Sequence, residues 1–294
     1  IDRGSIGLGT NTALPNGVFA GPTPSYNPED YIKDTIEAGR MLNYNPVVKL
    51  VADNAGDAFQ FLMSIGLNLV QSRNLHAVKA SGKGIIPGMT IVKRLADMIK
   101  NTNNIKLISG FYVTDILQNE QGAFGVKGYD REGKKLDIYG SSVVLATGGA
   151  GAIYLKNDNQ KKAMGQGYSL AAKAGLSLWD MEFVQFYPLV ISEAHLPSMI
   201  LYPPYPEKAR LINASGDDIL KRYGLRDIQQ AILMKRDAFS IILFNETQTG
   251  PIHMDYRDVP SSLWEIHPLS ILKKLRFDFL KKPVSVCPAA HFFM

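Results

Sequence analysis

The stretch VVLATGGAG, residues 143–151, decides how this chain is read. Val143, Val144, Leu145 and Ala146 are apolar and two of them β-branched, which predicts a buried strand. The strand then runs into Gly148, Gly149 and Gly151. Glycine costs backbone entropy, so such a cluster at a strand end marks a sharp turn or a close approach of backbone to another group.

Working outward, GYSLAAKAG (167–175) reads as a small-residue helix stopped by Gly175, and LSLWDMEFVQFYP (176–188) alternates as a strand. Upstream, IKLISGFYVTDILQ, AFGVKGYD, KKLDIYG and SVVLA give short strands between 105 and 147, with a hairpin turn at Asp130–Gly133. Asn27-Pro28-Glu29-Asp30 is a helix start, with a capping side chain, a proline at the first helical position and acids in the first turn. Asn45-Pro46 repeats the signal, and a third helix follows Pro87. Residues 1–26 are a long loop rich in Gly, Thr, Asn and Pro, a candidate binding segment. Residues 190–283 open with prolines and turn mixed helical, and VSVCPAAHFF resumes strand character.

The composition, 46% hydrophobic and 20% charged over 294 residues, is that of a globular protein with a large core. The net charge of +5 is spread along the chain, and LKKLRFDFLKK (272–282) alternates its lysines with apolar residues as a packed amphipathic helix does. This argues against nucleic-acid binding and for a mild attraction to anionic small molecules. A single cysteine, Cys287, excludes an internal disulfide and a cysteine-ligated cluster within the chain. No apolar run reaches the roughly 18 residues of a membrane span, no signal-peptide pattern stands out, and no histidines show metal-ligand spacing; the compartment reads as cytoplasmic. The chain opens on Ile1-Asp2-Arg3-Gly4 and stops within a segment, so it is expected to be a piece of a longer polypeptide.

A dinucleotide fold would announce itself by G-x-G-x-x-G after its first strand. That motif is absent, since GSIGLG (4–9) has the wrong spacing and GKGIIPG (82–88) follows no strand. Such folds also place an acid at the end of the second strand to bind the ribose hydroxyls. Asp2, followed by Arg3 and Gly4, suits that position if the first strand and its helix lie upstream.

Residues 141–188, SSVVLATGGAGAIYLKNDNQKKAMGQGYSLAAKAGLSLWDMEFVQFYP, carry a family resemblance. In order and spacing they resemble the flavoprotein subunits of succinate dehydrogenase and fumarate reductase, together with L-aspartate oxidase and soluble fumarate reductase, in which A-T-G-G, Y-x-x-N-x-N, G-D-G, D-M-E-F and Q-F-H-P follow one another. The resemblance implies bound FAD, with Ala146, Thr147 and Gly148 against the cofactor and Asn157 and Gln166 among its ligands, besides Asp2, Arg3 and Gly4. GTNTALPNGVFAG (9–21) resembles the segment along the flavin ring, which puts Thr10, Asn11, Thr12 and Gly17 there. Asn11 stands where respiratory members carry the histidine bonded to flavin, so the resemblance implies FAD held non-covalently.

The same resemblance assigns the chemistry. MKRDAFSIILFNE (234–246) matches the helix whose arginine hands a proton to the substrate carbon, here Arg236. PAAHFFM (288–294) matches H-Y-x-M-G-G, whose histidine binds a substrate carboxylate, here His291. Three departures stand out: the histidine of Q-F-H-P is Tyr187, the acid of G-D-G is Gln166, and MILYPPYPEKA (199–209) replaces T-E-x-x-R-G-x-G.

The expected fold is therefore α/β: a three-layer, Rossmann-like FAD domain from 1–189 and 284–294, with an α+β capping domain inserted at 190–283. The expected activity is hydride transfer between flavin and a small carboxylate. The expected partner is an iron–sulfur or other electron-transfer subunit, and any attachment to a membrane would come through such partners. The alternative is a divergent flavin-binding electron-transfer subunit without fumarate or succinate chemistry at its own cap site. Arg236 and His291 separate the two, since a conduit needs neither.

Overall fold

The structure is a computed structural model that describes residues 1–72, 75–82 and 86–293. Residues 83–85 of GKGIIPG and Met294 of PAAHFFM thus lie outside the described residues. The chain divides into two compact units, 1–143 and 144–294.

In the first unit, helices α1 (Pro28–Ala38), α2 (Asn45–Ser64) and α3 (Pro87–Lys100) each carry proline in their first two positions. The Asn27 side chain accepts the Asp30 N–H at 2.8 Å and caps α1 as its sequence predicts. Strands β1 (Val18–Ala20), β2 (Leu69–Ser72) and β3 (Leu75–Val78) form a small antiparallel sheet in the order β1-β3-β2. Leu67, Val78 and Ile91 pack there, joining sheet to α3. Strands β4 (Tyr112–Asn119), β5 (Gly122–Tyr129) and β6 (Lys135–Tyr139) form an antiparallel meander. Its hairpin turn is held by the Asp130 carboxylate, which accepts the N–H groups of Glu132 and Lys134 at 3.0 and 2.9 Å. Asp2 pairs in parallel with Ser109, its N–H reaching the Ile108 carbonyl at 2.8 Å.

The second unit holds α4 (Gln166–Lys173), β7 (Val184–Ile191), β8 (Arg210–Ile212), α5 (Ile219–Arg222), α6 (Ile228–Thr247), β9 (Ile252–Asp255), α7 (Leu269–Lys274) and β10 (Val284–Phe293). The four strands make one antiparallel sheet, β7-β10-β9-β8. Leu189, Leu211, Ile252, Met254 and Val284 are fully buried against Phe239 and Leu243 of α6 and Leu269 and Leu272 of α7. At roughly 1.5–3 kcal/mol for each large side chain buried, this core stabilises the unit far more than any surface contact. Strands β7 and β10, which the sequence assigns to the borders of the flavin domain, thus share a sheet with β8 and β9 of the expected cap.

One predicted strand does not form and another starts late. Residues 143–150 form no strand and find no ladder partner among the described residues, and Val144 is 88% exposed instead of buried. A strand exists only through its neighbours, and among the described residues parallel pairing is confined to isolated bridges. The strand foreseen from Leu176 begins only at Val184, because Asp180 takes a φ of 58° and the Phe183 N–H bonds the Asp180 carbonyl in a turn.

Candidate functional site

Tyr187 is the centre of the site in the second unit. It lies on β7, is 4% exposed, and meets side chains of α6, β10 and the segment 202–205. The Arg236 guanidinium sits 5.5 Å from the centre of its ring. The His291 ring meets it edge to face at 5.8 Å, and Tyr202 does so at 6.1 Å. Its hydroxyl lies 3.5 Å from that of Tyr205, which in turn donates to the Leu201 carbonyl. The structure thus brings together Arg236, Tyr187 and His291, the three residues that sequence connects with substrate.

Each is aimed by local backbone. Arg236 follows Lys235, whose φ of −149° and ψ of 45° break α6, so that the arginine opens the second half of the helix. Its Nη1 donates to Gln185 Oε1 at 3.3 Å, and the Ser240 hydroxyl bonds its carbonyl at 2.8 Å. Among the described residues no carboxylate pairs with Arg236. His291 is an extra residue in β10: Ala290 pairs with Phe186 and Phe292 with Gln185, so His291 bulges out of the ladder. Its Nδ1 lies 2.8 Å from Asp158 Oδ2.

Burial sets the protonation of the surrounding groups. It raises the Tyr187 phenol and, more strongly, that of Tyr205. It also pushes Tyr202 up to about 12, with the Asp158 charge adding to the effect. These phenols therefore stay neutral near pH 7 and offer hydrogen bonds without charge. Burial pushes His267 down to about 4, and its neutral Nε2 accepts the Tyr202 backbone N–H at 2.7 Å. His267, Tyr202, Tyr205, Gln185 and Asp158 are members that sequence reasoning did not single out. The two tyrosines lie in the stretch where this chain departs from the family pattern, and Asp158 lies between the two asparagines of a family motif.

The residues assigned to FAD fall on both units. In the first, the Asp2 carboxylate accepts the Gly4 N–H at 2.6 Å, and Arg3 lies 5.9 Å from the Tyr112 ring. Asn11, Thr12 and Ala13 make a short 3-10 turn with Asn11 and Thr12 exposed; Thr10 precedes it, with a buried hydroxyl that finds no partner among the described residues. Gly17 has a φ of 63°, and a Cβ there would stand 2.9 Å from Pro87 Cβ. An open cavity of about 400 Å³ lies between Ser5–Leu8 and α3, with Lys93, Asp97, Leu107 and Ser109 in its wall.

In the second unit, Ala146, Thr147 and Gly148 are exposed, and Gly148 takes a φ of 73° facing open space. A Cβ on Gly167 would stand 1.8 Å from Thr147 Oγ1, so the last glycine of the G-x-G motif is what lets α4 approach this segment. Gln166 opens α4 behind Gly165, and Asn157 Nδ2 donates to the Tyr154 carbonyl at 2.7 Å. Taken unit by unit, the residues present suit an FAD: in the first, the Asp2 carboxylate beside the Gly4 N–H and the Thr10 hydroxyl without a partner among the described residues; in the second, the exposed backbone of Ala146–Gly148. A phosphate-binding G-x-G-x-x-G turn is not in this sequence.

The family profile of an FAD binding domain matches residues 6–251. The chain belongs to that FAD binding domain family. Its cofactor is FAD. It is 28% identical over 311 residues to L-aspartate oxidase of Xylella fastidiosa, covering 100% of this chain and 60% of that protein. It is 26% identical over 301 residues to one chain of the fumarate reductase (CoM/CoB) of Methanothermobacter marburgensis, with 95% and 54% covered. The fold matches a quinol-fumarate reductase solved with menaquinol molecules, with a TM-score of 0.83 at 22% identity over 99% of this chain and 56% of that one. It also matches the Mycobacterium smegmatis Sdh1 complex in its apo form, with a TM-score of 0.81 at 20% identity, over 100% and 54%. This FAD binding domain chain thus spans little more than half the length of these proteins. Among its described residues no helix is long and apolar enough to cross a membrane, and no group of three or more His, Cys, Asp or Glu could hold a metal.

Proposed function

We propose that the complete protein is an FAD-dependent oxidoreductase acting on a small carboxylate, with a cap at about 190–283 inserted between flavin-domain segments 1–189 and 284–294. The observation that carries this reading is the meeting of Arg236, Tyr187 and His291 from α6, β7 and β10. FAD supplies the hydride centre, at flavin N5. On this reading His291 binds a substrate carboxylate, Arg236 delivers a proton to the carbon that takes the hydride, and Tyr187 donates one uncharged hydrogen bond. Asp2, Arg3, Gly4, Thr10, Asn11, Thr12, Gly17, Ala146, Thr147, Gly148, Asn157 and Gln166 hold the cofactor, without a covalent bond because Asn11 has no nucleophile for one.

The relatives named an oxidase and a reductase support the reaction class, and the neighbours solved as complexes support an electron-transfer partner. A second reading, an electron conduit without chemistry at this site, draws on one observation: the hydrogen-bond partner of Arg236 is the neutral amide of Gln185. Arginine stays protonated in nearly all settings, so a proton donor of this type needs a resupply route. The two readings part in one experiment. The complete protein, photoreduced under anaerobic conditions, is mixed with fumarate while flavin absorbance is followed. Rapid return of the oxidised spectrum supports the enzyme; a flavin reoxidised only by an electron acceptor dye supports the conduit.

A further inference from the structure

The Asp158–His291 pair is built with more care than a surface contact requires. Loop 156–159 is stitched to β10 at Ala290, the residue before the histidine. The Ala290 N–H donates to the Lys156 carbonyl at 2.9 Å, and the Ala290 carbonyl accepts the Asp158 N–H at 3.3 Å and Asn159 Nδ2 at 2.9 Å. Asn157 braces the same loop, its Oδ1 accepting the Asn159 N–H at 3.0 Å. A Cβ on Gly151 would run into the Asn159 amide at 2.3 Å, so the glycine keeps the loop in place. The bulge in β10 then turns His291 out of the ladder toward this loop.

The choice of an acid at 158 is the telling feature. Its Oδ2 meets His291 Nδ1, while Oδ1 is buried with no hydrogen-bond partner among the described residues. A carboxylate in that setting gives up hydration that a neutral side chain would not need to give up. The gain lies in what a carboxylate does to an imidazole: it accepts the Nδ1–H, fixes the tautomer and ring plane, and leaves Nε2 as the atom that meets a ligand.

We propose that Asp158 is a positioning residue that accepts the His291 Nδ1–H, fixes the ring plane and aims Nε2 at the substrate carboxylate, to which the ring donates an Nε2–H when it is doubly protonated. The part that concerns substrate rests on the reading of His291 given above. The groups around the pair are the Tyr187 ring on β7, which also carries the Arg236 guanidinium, and Tyr202, whose phenol feels the Asp158 charge.

The test has two arms. In the first, ring ¹⁵N shifts of the full chain are recorded at about pH 8.5, above the ordinary histidine range, with His291→Gln used to assign the signal. The wild type should show one tautomer, protonated on Nδ1. Asp158→Ala should show the mixture of a free imidazole, and Asp158→Glu should restore the single form. In the second arm, succinate binding to the complete FAD-loaded protein is read from the flavin spectrum. Orienting partners of metal-ligating histidines are worth about 10–100-fold in affinity; at the low end of that scale Asp158→Ala should raise the succinate dissociation constant about tenfold and Asp158→Glu should recover most of it. An Nε2–H tautomer in the wild type, or a single Nδ1–H form that survives Asp158→Ala, overturns the proposal. Should Asp158→Ala not fold, the wild-type and Asp158→Glu spectra decide by the same criterion. A wild type that shows the expected tautomer but binds no succinate counts against the carboxylate substrate and leaves the positioning of the ring standing.

Discussion

Replacing Arg236 by glutamine separates catalysis from stability, because the structure gives the two effects different sizes. In the fold, Arg236 makes one hydrogen bond of 3.3 Å to an exposed glutamine and one cation–π contact at 5.5 Å. A net hydrogen bond contributes about 1 kcal/mol and a cation–π contact of a half-buried arginine on the buried Tyr187 ring about 1–2 kcal/mol. Glutamine keeps a donor and most of the aliphatic stem, so the loss of stability should stay below about 2 kcal/mol. A positioned proton donor, by contrast, contributes about 10²–10⁴ in rate, which is about 2.7–5.4 kcal/mol of barrier. Arg236→Gln in the complete protein should keep its flavin spectrum, shift its denaturant midpoint only slightly, and lose at least about a hundredfold in kcat. Parallel urea titrations and stopped-flow reoxidation of the reduced flavin by fumarate measure both quantities. Full turnover in the variant would refute the assignment of Arg236 and leave the conduit reading in front. A loss of activity matched by loss of the folded state would show that the arginine is structural.

Three further outcomes follow from particular groups. His267 is held at about 4, below its unfolded value near 6.5. The unfolded chain then binds more protons between those values, so this contribution is complete above about pH 6.5 and lost as pH falls toward about 4. With solvent screening it is worth about 1–2 kcal/mol, and His267→Gln, which keeps an acceptor for the Tyr202 N–H, should flatten that part of a stability-against-pH curve. Gly167→Ala should cost about 1–3 kcal/mol, because its Cβ would meet Thr147 Oγ1 at 1.8 Å; an unchanged melting temperature would show that the 147 segment yields. FAD bound by the complete protein should appear in the supernatant after acid precipitation, and yellow colour left in the pellet would contradict the role given to Asn11.

The parts of the fold that are legible in sequence are those fixed by local chemistry. Asn27 before Pro28 sets the start of α1, and Asp130 closes the β5–β6 turn with its own carboxylate, each within five residues of chain. The apolar pattern at 143–146 misleads because it promises burial, while burial depends on strands placed beside it. The same holds at Leu176–Phe183, where a left-handed Asp180 overrides the alternation. Periodicity says which face of an element wants cover. It does not say whether the cover is there.

The site divides along the same line, between what a motif carries and what a fold assembles. Arg236 and His291 are reached through motif register, and Tyr187 through its departure from that register. None of the three shows by itself that it will meet the others. Their meeting depends on the break at Lys235 and on the bulge at His291, neither marked by a glycine or proline at those positions. Asp158 is harder still to see, since it lies 133 residues from its partner. Only the pairing of loop 156–159 with Ala290 brings the two to 2.8 Å. That pairing suggests how such a site changes its substrate. The backbone frame that sets Tyr187 and His291 in place is independent of the side chain at 187, so exchanging a charged imidazole for a neutral phenol there alters the charge offered to a ligand and leaves the ladder intact. A Tyr187→His variant should therefore fold as the parent does and bind dicarboxylates more tightly only at acid pH, because burial at 187 and the Arg236 guanidinium hold the added imidazole neutral until well below its ordinary value of about 6.5. Equal affinity for succinate in the two proteins across that range would place the selectivity elsewhere, with Tyr202 and Tyr205 the first residues to examine.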